Sequence, residues 1–114
     1  MSNTIFHKII RREIPATIVK ETDDYISVHD IAPKSPIHVL IIPKKTIRNI
    51  NDVSQKDTEL LGRLLIGAKE IAELLGVQEN GYRLVINNGP DGGQTVDQLH
   101  IHLLAGRQQG WPPG

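Results

Sequence analysis

A chain of 114 residues with no cysteine and a formal net charge of zero, 13 Lys and Arg against 13 Asp and Glu, reads as one domain over residues 1–114 with room for one modest core and one site. Balanced charge excludes a bulk field that would draw the chain to nucleic acid or to an anionic membrane, and the lack of cysteine excludes disulfides, thiolate zinc sites and a cysteine nucleophile. No basic segment followed by a long apolar one opens the sequence, and no apolar run approaches membrane-spanning length, so a cytoplasmic protein is expected.

In chain order, Thr4 is a predicted cap for a short helix in which Ile5, Phe6, Ile9 and Ile10 fall at helical spacing, ending before Pro15. Residues 17–19 and 25–29 read as a hairpin around the polar run Glu21-Thr22-Asp23-Asp24. Two prolines, Pro33 and Pro36, make residues 30–36 a loop, and the apolar run from His38 to Ile42, closed by Pro43, reads as a central strand. Ser54 followed by Asp57 resembles a capping box. It precedes the main predicted helix, with Leu60, Leu61, Leu64, Leu65, Ala68, Ile71, Ala72 and Leu75 on its apolar stripe and Gly76 as its stop. Residues 82–86 and 99–104 read as strands separated by a turn-rich loop from Asn87 to Thr95. The sum is an α+β domain, an antiparallel sheet with helices packed on one face.

Chemistry concentrates near the last strand. Alternation along Gln98-Leu99-His100-Ile101-His102-Leu103 sends Gln98, His100 and His102 to one face and the aliphatic residues to the other. Taken alone, such a pair of histidines is also compatible with solvated or packed side chains. The preceding loop adds weight, because Gly92 and Gly93 leave backbone N–H groups free of a Cβ and able to turn toward an anion, with the Thr95 hydroxyl as a further donor. His38 opens an apolar strand, where an imidazole needs a polar partner. His7 reads as a surface histidine and His29 as a strand-face one.

The segments 30–38, 87–94 and 98–104, with their spacing, resemble the histidine triad nucleotide-binding family and most of all its Hint-type branch. The likeness runs from Ile5-Phe6-His7 to the terminal Gly110-Trp111-Pro112-Pro113-Gly114. It implies a HIT-like fold, with a sheet of about five antiparallel strands, one long and one short helix, and a sheet continuous across a homodimer. The implied activity is hydrolysis of the P–N bond of purine nucleoside 5′-phosphoramidates by a phosphoramidase, through a covalent nucleotidyl-histidine. By motif position His100 is the implied nucleophile, and His102 the residue that meets phosphate and leaving group. When protonated, His102 would supply both charge and a proton. His38 matches a further active-site histidine, Asp30 the acceptor of ribose hydroxyls and Ile31 a contact to the base. Asn87, Gly93 and Thr95 match positions around the α-phosphate, and Trp111 a tryptophan that approaches the partner subunit's site. Gln98 stands where the family has its first histidine, and is expected at the substrate.

An imidazole suits this reaction because attack on phosphorus gives a phosphohistidine that water readily displaces. It needs its other nitrogen held as N–H, and the family uses the main-chain carbonyl of the first motif position, which Gln98 retains. No metal or cofactor is required. The alternatives are a zinc site built from His38, His100 and His102, a weakly active or inactive nucleotide-binding or regulatory module, and a dinucleoside polyphosphate hydrolase.

Overall fold

Five antiparallel strands form one sheet in the computed structural model of this chain, which describes residues 3–114. They are β1 (Ile18–Glu21), β2 (Tyr25–His29), β3 (Ile37–Pro43), β4 (Tyr82–Val85) and β5 (Ile101–Ala105). Across the sheet they run β1, β2, β3, β5, β4, which makes β3 central, as its apolar run predicts.

Alternation along the strands decides what covers each face. Tyr25 of β2, Val39 and Ile41 of β3, and Ile101, Leu103 and Ala105 of β5 form one core with Leu60, Leu64, Ala68, Ile71 and Ala72 of the long helix α2 (Thr58–Leu74). Ile26, Val28, Leu40 and Ile42 point the other way and pack with Phe6 and Ile9 of the short helix α1 (Ile5–Ile10). The helices therefore cover opposite faces of the sheet, not one face as the sequence reading expects. The unbroken apolar run of β3 follows from this, since both of its faces are covered. Complete burial of Leu64 and Ile71 on α2 contributes roughly 1.5–3 kcal/mol each.

Local signals set the helix ends. Ser54 and Asp57 do form a capping box, with the Ser54 N–H donating to Asp57 Oδ2 at 3.0 Å, but the first turn, Ile-free Gln55–Asp57, is a 3₁₀ turn and α2 proper starts at Thr58. Gly76, at φ +73°, takes the left-handed conformation that stops it. Leu65 leaves the expected stripe and is half exposed, as are Ile66 and Leu74. At Gly67 the helix approaches β2 so closely that a Cβ would lie 2.8 Å from the Tyr25 ring.

At α1, Thr4 Oγ1 accepts from the His7 N–H at 3.2 Å while His7 Nδ1 accepts from the Thr4 N–H at 3.3 Å. His7 is buried, which corrects its reading as a surface residue: the ring occupies the position where a capping box usually has Glu or Gln. Among the described residues no helix is long and apolar enough to cross a membrane.

Candidate active site

On the α1 face of the sheet, β3, β4 and β5 present His38, Val85 and His102 to a cavity of about 380 Å³. Asp30, Ala32 and Lys34 from the loop before β3, and Asn87, Gly93 and Thr95 from the loop after β4, close round it with His100 and Leu104. Seven residues singled out by sequence thus meet in one place: Asp30, His38, Asn87, Gly93, Thr95, His100 and His102. A larger hollow of about 610 Å³, lined by Tyr82, Arg83, Arg107 and neighbours, contains no histidine or carboxylate and offers no comparable chemistry.

Two main-chain groups fix the hydrogens on all three rings. His100 Nδ1 lies 2.6 Å from the Gln98 carbonyl, which can only accept, so Nδ1 carries the proton and Nε2 keeps its lone pair. The Lys34 N–H donates to His38 Nδ1 at 3.0 Å, so the His38 hydrogen sits on Nε2. That Nε2–H lies 2.9 Å from His102 Nδ1, which must accept, and the His102 hydrogen is thereby driven to its own Nε2. His102 Nε2 is buried and without a partner among the described residues, a donor left for whatever enters the cavity. Asp30 Oδ2 stands 3.5 Å from His38 Nε2, while Asp30 Oδ1 accepts from the Ala32 N–H at 2.8 Å.

Burial makes the cluster reluctant to protonate. The pKa of His102 falls to about 4, first through burial and then through its neighbours His100 and His38. Burial also lowers His100 against the opposing effects of the Gln98 hydrogen bond and Asp30, and lowers His38 against the pull of Asp30. At neutral pH His102 is therefore an uncharged N–H donor and not a cationic acid. The His100 ring is wedged edge-on between Phe6, at 4.8 Å between centroids, and His102, at 5.0 Å.

The glycine loop differs in detail from its sequence reading. The Gly93 N–H is used inside the turn, donating to the Pro90 carbonyl at 3.0 Å, and so is not turned toward an anion. Gly92 is required by close packing, since a Cβ there would lie 2.5 Å from the Asn88 carbonyl oxygen, and Gly93 by its φ of +79°. Thr95 has no hydrogen-bond partner among the described residues and is left as the free donor beside the histidines.

Three expected residues lie outside the cavity. Gln98 is wholly buried and its side chain bonds to the segment after β3, which corrects its expected position at the substrate. The physical reason is that Gln98 lies three residues before β5, where no ladder imposes the strand alternation, and the main-chain groups of Pro43, Lys45 and Ile47 capture its amide. Ile31, 91% exposed, stands beside Asp30, and Trp111, 82% exposed, projects from the tail. Sequence reasoning missed the Lys34 N–H and the contact of Phe6 with His100. A main-chain donor leaves no side-chain signal, and the apolar stripe of α1, which does contain Phe6, does not say which ring it meets.

Ligand atoms of Asp30, His38 and His102 lie within 4.8 Å of one another, a set that includes Asp30 in place of the His100 of the expected zinc alternative. Their hydrogen bonding is the inverse of what a cation needs. To ligate through Nε2, neutral His38 must move its proton to Nδ1, where it would meet the Lys34 N–H donor instead of the acceptor that normally supports a metal-bound imidazole.

The profile of the HIT domain matches residues 11–109. An uncharacterised HIT-like protein of Synechococcus elongatus is 55% identical over 112 residues, covering 98% of this chain and 97% of that protein. The adenylylsulfatase HINT1 of Arabidopsis thaliana is 46% identical over 115 residues, covering 99% of this chain and 78% of the other. Among solved structures, a HIT family hydrolase from Legionella pneumophila superposes with a TM-score of 0.96 at 53% identity, covering 98% of this chain and 100% of that one. A HIT family hydrolase from Clostridium thermocellum superposes with a TM-score of 0.93 at 44% identity, with 96% of each chain covered.

Proposed function

The chain belongs to the HIT domain family, and we propose that it is a nucleotide-binding hydrolase of the Hint-type branch, one domain over residues 1–114, that cleaves nucleoside 5′-phosphoramidates through a nucleotidyl adduct on His100. The observation that carries this reading is the 2.6 Å bond from His100 Nδ1–H to the Gln98 carbonyl, which leaves the Nε2 lone pair available inside a cavity that also holds an unused N–H on His102.

In this reading His100 Nε2 attacks the α-phosphorus, the P–N bond breaks, and the amine leaves with a proton taken from solvent at the open cavity. Water then attacks phosphorus and gives up a proton. The N–P electrons return to Nε2 and the nucleoside monophosphate departs. His100 keeps its Nδ1 hydrogen throughout. His102 Nε2–H and Thr95 meet the non-bridging oxygens as charge builds on them, while Asn87 and Gly93 shape the phosphate end. Asp30 receives the ribose hydroxyls on its free lone pairs, and Ile31 offers an apolar surface to a purine base. Neither a metal nor a cofactor takes part.

A homodimer belongs to the same reading. It is supported by the outer edge of β4, which pairs with no strand among the described residues, by the exposure of Leu65, Ile66 and Leu74 on α2, and by the exposure of Trp111. In the dimer Trp111 reaches the partner subunit's site. The cysteine-free composition is compatible with the cytoplasmic location that completes the proposal.

The test is incubation with an adenosine 5′-phosphoramidate, following release of the monophosphate. His100→Ala should show no turnover above background, and a quenched wild-type reaction should carry a nucleotidyl adduct on His100. Equal rates from both proteins would end the assignment.

The neutrality of His102 favours a second reading, in which the leaving group departs as a stable anion and needs no proton. A nucleoside phosphosulfate, suggested by the name of the Arabidopsis relative, and a dinucleoside polyphosphate are both of this kind. A kcat for the phosphosulfate far above that for the phosphoramidate would select it.

A further inference from the structure

Gln98 stands at the first triad position, yet its side chain turns away from the cavity into the protein. Its amide makes three hydrogen bonds to one stretch of chain after β3: Oε1 accepts from the Ile47 N–H at 3.1 Å, and Nε2 donates to the carbonyls of Pro43 at 3.0 Å and Lys45 at 2.8 Å. The Leu99 N–H adds a bond to the Ile47 carbonyl at 2.7 Å. On the main chain of the same Gln98, the carbonyl receives His100 Nδ1–H at 2.6 Å.

We propose that Gln98 is a positioning residue, whose side-chain amide anchors its own peptide to segment 43–47 and thereby holds the carbonyl that sets the tautomer and aim of His100. The inference rests on His100 being the nucleophile.

A carbonyl orients a ring only if its own peptide plane is fixed. Sheet pairing of β5 starts at Ile101, so no strand ladder fixes the peptide that joins Gln98 to Leu99. The Gln98 amide and the Leu99 N–H supply the constraint from the side instead. A primary amide suits this environment, because it offers two N–H donors and an acceptor at once, matching two carbonyls and one N–H. A neutral imidazole has one donor and one acceptor and would leave one buried carbonyl unpaired. Its pattern would also change on protonation, whereas the amide pattern does not, so the aim of His100 is independent of pH at this point. Within the site, Gln98 thus replaces a titratable group by a fixed one.

The experiment compares the wild type with Gln98→His and Gln98→Glu by imidazole NMR of the His100 Nδ1–H, by the pH profile of kcat and KM on an adenosine phosphoramidate, and by thermal melting. A carboxylate at 98 would face the Pro43 and Lys45 carbonyls, disfavouring the charged form and raising its pKa. Folded Gln98→Glu should therefore lose the protected Nδ1–H signal at high pH and lose kcat by about a hundredfold, the scale of a small misplacement of a reacting group, with KM within about twofold. Both signal and kcat should recover in part as pH falls from 8.5 to 6.5, because the protonated carboxyl restores one of the two donors, while the wild type stays flat. Wild-type kcat across this range, or a lost kcat with the Nδ1–H signal intact, would overturn the proposal. Where the variants do not fold, hydrogen exchange on the wild type decides: the Gln98 amide and His100 Nδ1 protons should exchange by one shared opening, and independent exchange would overturn it. The NMR arms need no substrate, so failure of the phosphoramidate reading shows separately, as a wild type with a normal Nδ1–H signal and no turnover.

Discussion

His38 Nε2 lies 2.9 Å from His102 Nδ1, and the direction of that hydrogen bond is dictated by a group on neither residue, the Lys34 N–H at the far side of the His38 ring. One peptide N–H thus decides which nitrogen of His102 faces the cavity as a donor.

Removing the intermediary should scramble that order. His38→Ala leaves His102 Nδ1 without its donor, and kcat is expected to fall by roughly ten- to a hundredfold, since each decade corresponds to about 1.4 kcal/mol of barrier. His38→Gln keeps an N–H able to reach Nδ1 and should recover most of the rate. An alanine variant as fast as the wild type would show that the orientation of His102 does not matter.

Acid should unfold this protein earlier than its carboxylates alone would dictate. The folded-state pKa of His102 lies at about 4, below the ordinary 6.5, and His38 and His100 shift the same way. Between pH 6.5 and about 4 the unfolded chain therefore binds more protons than the folded one, so stability falls as pH falls through that window. Urea midpoints should drop from pH 7 to 5, and His102→Asn should flatten the slope. A midpoint constant across this interval would contradict the burial of the cluster.

Much of this was legible in the sequence. The alternation around His100 and His102, the apolar run of β3 and the Ser54 cap each obey a local rule, and the structure keeps all three. The losses occur where a long-range contact overrides a local pattern. Gln98 follows the alternation of the histidines on paper, but the strand has not begun there, and segment 43–47 captures its amide. His7 looks exposed because histidine is seldom the residue that closes a capping box. The placing of α1 and α2 on opposite faces depends on which half of each strand pattern meets which helix, and a strand apolar throughout, such as β3, carries no sign of it.

The two loop glycines should fail differently. Alanine at Gly92 would drive a Cβ to 2.5 Å from the Asn88 oxygen and 2.7 Å from its nitrogen, both backbone atoms, so the 88–92 turn must open and Thr95 must move. Nucleotide affinity, measured by calorimetry, should fall at least about tenfold, a loss of roughly 1.4 kcal/mol. Gly93→Ala meets no atom and costs only the strain of φ +79°, about 1 kcal/mol, with affinity largely kept. Equal losses from both would mean that the shape of this turn is not what binds phosphate.

Arg107 extends the control of His38 to the tail. Its guanidinium donates to the Lys34 carbonyl at 3.0 Å, and Gln109 Nε2 reaches Ser35 Oγ at 3.2 Å, so residues after β5 tie down the loop that carries the Lys34 N–H. Arg107→Ala should loosen that N–H and lower kcat severalfold with little change in nucleotide affinity, because Arg107 does not line the cavity. A double-mutant cycle separates this route from an independent one. If Arg107 acts through Lys34 on His38, the substitution has no further effect in a His38→Ala background, where the acceptor of the Lys34 N–H is already gone. Additive losses would assign Arg107 a separate part in turnover.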